Sequence, residues 1–211
     1  MKKLYKKVNQ LGLEIKTVAE VGVWHIETSN VLDFIKAGCR AQLFEADPNI
    51  VAELNEYFKG NRSVEIYPYA IYDKPGKIGL YRFRASTFVA ELEKSPALIN
   101  DKYHPKNDDM FYVEARLFSE FDDGKIDLLS IDVEGAEWQV LKHVKSRPLV
   151  ISVETHGFRY RNPFRREISK WMKENNYKKW YRTESDTVYI KDNIKTGIYD
   201  RLLSALGKGN P

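Results

Sequence analysis

Four carboxylates recur at comparable places in this chain, each at the end of a short run of β-branched and aliphatic residues. Thr17-Val18-Ala19 leads to Glu20-Val21-Gly22, and Leu43-Phe44 to Glu45-Ala46-Asp47. Leu129-Ser130-Ile131 leads to Asp132-Val133-Glu134, and Ile151-Ser152-Val153 to Glu154-Thr155-His156. A single acid at such a place caps a helix or faces water. Four of them, on strands that lie side by side, would gather negative charge on one rim, where open α/β sheets bind their ligands.

That rim selects against a phosphate. A dinucleotide pyrophosphate needs glycines for close backbone approach, written G-x-G-x-x-G, and a helix N-terminus. Here the stretch after Glu20 is Gly22-Val23-Trp24-His25-Ile26-Glu27, with one glycine and a bulky indole. A cationic, phosphate-free nucleoside with a diol suits the acids instead, and S-adenosylmethionine has those properties. Glu45, on the next strand, is placed to take both ribose hydroxyls, as a later acid does in dinucleotide folds.

An alcohol acceptor has a high pKa and needs a base or a metal to become a nucleophile. His156 is the first candidate base, because imidazole titrates near neutrality, and Glu134 is the second. Asp132, Glu154 and His156 together offer oxygen and imidazole ligands to a divalent ion, although their spacing does not require one. His25, beside the first loop, is placed near cofactor or substrate, or packs on the surface.

The elements that must position these residues alternate. Strands are expected at 16–22, 41–45, 64–71, 126–132 and 149–154, with helices after Ser29, after Asp47-Pro48 and from Ala136 to Lys145. Asp before Pro is an N-cap followed by the favoured first helical residue. Lys77 to Phe83 is expected to return beside 64–71 after the turn Asp73-Lys74-Pro75-Gly76. A short helix is expected near Val89–Glu93, an edge strand at 111–117, a helix at 167–176, and a closing hairpin from 178–183 and 187–191. Strands alternating with helices imply βαβ units, hence a doubly wound α/β sheet, mostly parallel, with antiparallel strands at its C-terminal end.

The chain has 211 residues, 43% of them hydrophobic, enough for one well-packed domain spanning 1–211. Its core is expected over about 15–191, a substrate lid over 86–112, and a tail over 196–211 that forms a short helix or a partner contact. One cysteine, Cys39, rules out an internal disulfide and a cysteine-based zinc site and suits a reducing compartment. No apolar run is long enough to span a membrane, and Met1-Lys2-Lys3-Leu4-Tyr5-Lys6-Lys7 has no apolar stretch behind it, so the expected location is cytoplasmic. Net charge is only +4, yet 156–182 carries nine lysines and arginines against two glutamates, so the remainder is net acidic. Within that stretch Gly-Phe-Arg-Tyr-Arg-Asn-Pro-Phe-Arg-Arg (157–166) interleaves aromatics with arginines. It could grip a glycan, a nucleotide sugar or single-stranded nucleic acid, or be a turn and an amphipathic helix.

The segment Ile131-Asp132-Val133-Glu134-Gly135-Ala136-Glu137, followed by Val140-Leu141, resembles the most characteristic stretch of the FkbM-type methyltransferases. Ala19-Glu20-Val21-Gly22, Phe44-Glu45-Ala46-Asp47-Pro48, Tyr69-Ala70-Ile71 with Asp73 and Gly76, and Val153-Glu154-Thr155-His156 are similar to other segments of that family. The resemblance spans about 17–156. It implies a Rossmann-like class I methyltransferase fold on a seven-stranded sheet, and methyl transfer from S-adenosylmethionine to a hydroxyl of a sugar, glycan or small natural product. By position it makes Glu20, Gly22, Val23, Trp24, Glu45, Ala46, Ala70 and Asp132 the cofactor-binding set. Asp132 and Glu134 would then face the sulfonium and the reacting oxygen. Trp24 and Ile26 stand where the family usually has small residues. Two other readings stay open: a nucleic-acid methyltransferase that uses the basic segment, and a methyltransferase-like domain that binds without turnover.

Overall fold

The structure, a computed structural model, describes residues 1–84 and 86–197, and of Asn107 only the backbone. The expected tail helix or contact at 202–206 lies outside the described residues. In chain order the elements are α1 (Lys3–Gln10), β1 (Thr17–Val21), α2 (Leu32–Lys36), β2 (Arg40–Phe44), α3 (Pro48–Tyr57), β3 (Val64–Tyr67), β4 (Ala70–Ile71) and β5 (Gly76–Phe83). They continue with β6 (Ser86–Val89), α4 (Pro96–Ile99), β7 (Met110–Arg116), β8 (Leu128–Ile131), α5 (Glu137–Leu141), β9 (Val150–Glu154), α6 (Arg165–Glu174), β10 (Tyr177–Arg182) and β11 (Asp186–Lys191).

Seven strands form the main sheet in the order β10-β11-β9-β8-β1-β2-β3. β1 pairs in parallel with both β2 and β8, so strand order reverses between β1 and β8. The expected C-terminal hairpin is present: β11 runs antiparallel to both β9 and β10, with an irregularity between Lys179 and Tyr181. Side chains alternate across the sheet, and both faces are covered. Val18, Leu43, Leu128, Val150, Val188 and Ile190 meet α1, α2 and α3 on one side. Ala19, Val21, Phe44, Leu129, Ile131, Ile151 and Val153 meet α5 and α6 on the other. Near-continuous apolar runs such as Leu128–Ile131 are what a strand buried on both faces requires.

Several local expectations are corrected. Residues 64–71 are two strands, not one: β3 stays in the main sheet, while β4 leaves it for a second, four-stranded sheet ordered β4-β7-β5-β6. The return strand β5 therefore pairs with β6 and β7 rather than with 64–71. Residues 110–116 form an interior strand of that second sheet, not an edge. The Val89–Glu93 helix is absent; its residues end β6 and enter a turn, and the short helix α4 follows at Ser95, whose hydroxyl accepts from Leu98 N at 3.3 Å. The basic N-terminus, expected as no particular element, is helix α1. Leu4 and Val8, one turn apart, are buried there, and Tyr5 packs edge-on against Phe34 with ring centroids 4.9 Å apart. Burying such side chains contributes about 1.5–3 kcal/mol each.

Candidate functional site

The chain turns that build the site are set by a few residues. After β1, Gly22 adopts φ +83°, and a Cβ there would lie 1.7 Å from the Asp132 carbonyl oxygen. Only glycine lets the ends of β1 and β8 approach this closely. Between β8 and α5 the chain passes through Glu134 at φ +55° and Gly135 at φ +113°. A non-glycine residue in that region is strained, and such strain persists only where the surroundings fix it. Here the fully buried Glu137 does so: its carboxylate accepts from Val133 N at 3.1 Å and Gly135 N at 3.0 Å, and Asn162 Nδ2 donates to its other oxygen. After β2, Asp47 caps α3 by accepting from Asn49 N at 3.0 Å.

These turns enclose a cavity of about 280 Å³ at the point where strand order reverses. All eight residues expected to hold the cofactor line it: Glu20, Gly22, Val23, Trp24, Glu45, Ala46, Ala70 and Asp132. Glu134 lines it as well. Ser29, Asn30, Thr87 and Tyr69 add polar edges, and Ile50, Leu80, Val89 and Val133 add apolar walls. The second sheet thus supplies Leu80, Thr87 and Val89, so the segment expected as a lid enters the site as a strand. Ile26 is buried in the core beside Val23 and Val31 and is not a lining residue, so its bulk does not narrow the cavity. Trp24 does line it, 41% exposed, with its ring 4.3 Å from that of His25. His25 in turn faces Glu53 at 3.2 Å.

Glu20 and Glu45 are buried and Asp132 and Glu134 half-buried, and loss of water dominates the chemistry of all four. Glu20 is pushed up to about 7 by loss of water, opposed by hydrogen bonds from Ser29 and Asn30 N, the latter at 2.8 Å. Glu45 is likewise pushed up to about 7 by burial, although its carboxylate accepts from Asp47 N at 2.7 Å. Glu134 rises to about 7 from burial, opposed by a hydrogen bond from Ser86 and reinforced by Glu137. Asp132 is raised well above its ordinary value by burial and then by Glu134, Asp186 and Glu137.

Two expected site residues fall elsewhere. Glu154 lies behind the cavity rather than on its wall, within the acid cluster around Asp132. His156 is half-buried in a loop, outside the lining. Its Nε2 meets Thr183 O at 3.2 Å and its Nδ1 meets Thr155 Oγ1 at 3.0 Å, so both ring nitrogens are engaged. Burial, then Arg182 and Arg161, hold it below its usual range. Among the described residues the acids gathered closely enough to hold an ion are Asp132, Glu137 and Glu154, each offering an oxygen within 4.8 Å of the others, with Glu137 where His156 was expected. Glu137 was visible in the sequence as the last acid of the 131–137 run, but not its inward direction. Tyr160, one of the aromatics interleaved with arginines over 157–166, is fully buried and so does not offer its face to a ligand from solution.

At the switch point of this Rossmann-like sheet the cavity is lined by four acids and, among the described residues, by no lysine or arginine, a lining that suits a cationic nucleoside better than a phosphate. The family comparison agrees: the model of the methyltransferase FkbM domain matches residues 17–179, and the chain belongs to that family. It is a methyltransferase of an S-adenosylmethionine-dependent family, and the donor set of the cavity fits that cofactor. Among solved structures, similarity extends to a protein from Pyrococcus horikoshii described as an RNA methyltransferase, with 14% identity, TM-score 0.45, and 89% of this chain and 81% of that one covered. Precorrin-6y C5,15-methyltransferase from Geobacter metallireducens matches with 12% identity, TM-score 0.42, and 89% and 84% covered. A SAM-dependent methyltransferase from Aquifex aeolicus matches with 12% identity, TM-score 0.43, and 89% and 88% covered. No curated protein matches the chain. Among the described residues no helix is long and apolar enough to cross a membrane.

Proposed function

We propose that this chain methylates a hydroxyl group of a sugar, glycan or small natural product. The observation that carries the reading is the placement of Glu134: it shares a wall with the cofactor-binding acids, sits close to neutrality, and has a buried Oε2 with no hydrogen-bond partner. A base whose pKa lies near the working pH is the most effective acceptor of a hydroxyl proton. That role moves from His156, whose nitrogens are occupied, to Glu134.

S-adenosylmethionine, when bound, supplies an electrophilic methyl group on a sulfonium. Glu45 accepts hydrogen bonds from the ribose diol, and Glu20 orders the Ser29-Asn30 edge of the methionine end. Gly22 keeps that wall at backbone distance from Asp132, whose carboxyl would lie beside the ligand's positive end. Ile50, Leu80, Val89 and Val133 exclude water from the walls, and Glu134 takes the acceptor's hydroxyl proton on its carboxylate. Alignment of acceptor and base by such walls supplies much of the rate in a displacement. Thr87 on β6, a polar lining side chain of the second sheet, is placed to meet the acceptor.

The direct test is calorimetric titration with S-adenosylmethionine. The wild-type chain should bind it, and Glu45→Ala should lose at least tenfold in affinity while keeping its far-ultraviolet spectrum. Unchanged affinity would remove this placement of the cofactor.

A further inference from the structure

Beside the cavity, sharing Asp132 with it, the structure holds an acid cluster whose other members, Glu137 and Glu154, the proposed methyl transfer does not use. Asp132 follows β8, Glu137 opens α5, and Glu154 ends β9; their oxygens lie within 4.8 Å of one another. Glu137 is fully buried and Glu154 is 7% exposed. Asp186 sits directly opposite Glu154 in the β11–β9 register, adding a further acid. The charged groups acting most strongly on Asp132 and Glu154 are other acids. Like charges this close cannot all ionise without a compensating cation or shared protons.

An independent observation points to a ligand. Tyr160, from the loop before α6, is fully buried, and its hydroxyl has no hydrogen-bond partner. The Gly135 backbone beside it donates to Glu137 at 3.0 Å, so the hydroxyl borders the same cluster. It stands 3.3 Å from where a Cβ on Gly135 would be, against the strained loop. One oxygen each of Asp132 and Glu154 is also buried and unpartnered. Buried polar atoms nearly always find partners, so orphaned atoms on three residues around one acid cluster require an explanation.

We propose that Asp132, Glu137 and Glu154, with the Tyr160 hydroxyl beside them, bind a hard divalent cation such as Mg²⁺ or Mn²⁺. The donor set is all oxygen and strongly anionic, which suits these ions and not zinc or copper. Because Asp132 also lines the cavity, the ion sits at the cavity floor, where it fixes the Asp132 carboxylate and the Glu134-Gly135 turn.

The test uses the full chain with Mn²⁺ as the probe, followed by paramagnetic resonance, without S-adenosylmethionine. One Mn²⁺ per chain is expected, displaced by excess Mg²⁺, with affinity reduced at least tenfold in both Glu154→Gln and Asp132→Asn. Thermal melting on the same samples shows which variants are folded, and the wild type alone should gain several degrees with metal. Absence of bound Mn²⁺ at millimolar concentration on folded wild-type chain would overturn the proposal, as would undiminished affinity in whichever variant folds; the cluster is then held by shared protons. S-adenosylmethionine titration in parallel keeps the two readings apart. Mn²⁺ bound without cofactor binding sinks the proposed function alone, and cofactor bound without Mn²⁺ sinks this inference alone.

Discussion

At the scale of single residues, the site is built from carboxylates that have lost much of their water, Glu20 and Glu45 most completely. Glu45 is raised to about 7, so below that pH it is mostly protonated and cannot accept from both ribose hydroxyls. Affinity for S-adenosylmethionine should therefore rise as pH increases from 6 to 8, by roughly tenfold if only the ionised form binds. Calorimetry at three pH values checks this, and a flat profile would mean that Glu45 does not bind the cofactor as a carboxylate. For Glu134 the expectation concerns turnover. With an acceptor that the wild type methylates, Glu134→Gln should lower kcat by about 10²–10⁴, the usual worth of a positioned base. Its affinity for S-adenosylmethionine should change by less than a few fold. A kcat within threefold of wild type would exclude Glu134 as the base.

At the scale of elements, the second sheet is the part that distinguishes this molecule from a bare α/β core. It is tied to the main body by Arg82 on β5, which grips Asp47 through Nε at 2.5 Å and Nη2 at 2.7 Å. Its guanidinium lies 4.6 Å from the centre of the Phe111 ring on β7. Asp47 is buried and caps α3, so one ion pair joins the cofactor side of the cavity to the β6 side. Removing the arginine leaves a buried acid without its partner, a loss of about 1–3 kcal/mol. Arg82→Ala should melt several degrees lower and show faster amide exchange across β5 and β6, while β1 and β8 keep their protection. Equal loss of protection in both sheets would show that the ion pair supports the whole fold instead.

At the scale of the whole molecule, the buried acids set how stability varies with pH. An acid whose folded pKa is raised favours the folded state most below its ordinary value of 4.5. That advantage disappears as pH climbs to the folded value. Glu20 and Glu45, 3% and 7% exposed, both move to about 7. Each can thus withdraw at most about 3 kcal/mol between pH 4.5 and 7. The ligand-free chain should melt on the order of 10 °C lower at pH 8 than at pH 5. Scanning calorimetry in metal-free buffer reads this, and a melting temperature that rises over the same interval would contradict the assigned burial of these acids.

Much of this was legible along the chain. Periodicity places every strand of the main sheet, because a strand buried on both faces must be nearly all apolar, as Leu128–Ile131 is apart from Ser130. Asp47-Pro48 marks a helix start, because capping is a contact between near neighbours. The acids at strand ends were legible as residue types, and three of the four, Glu20, Glu45 and Asp132, line one cavity, since a strand's end is set by its own residues. Other features follow only from contacts between residues far apart in sequence. Whether 64–71 stays in one sheet depends on what β4 meets, and that is β7, more than forty residues later. The engagement of both His156 nitrogens depends on Thr183, on the far side of α6 and β10. Tyr160 turns inward because Asn100 Oδ1 accepts from the backbone of Arg159 and Tyr160, which bends the loop. The sequence by itself determined which residues are acidic, apolar or able to turn; only the tertiary structure decided which of them share a space, because that depends on closing loops whose ends carry no local signal.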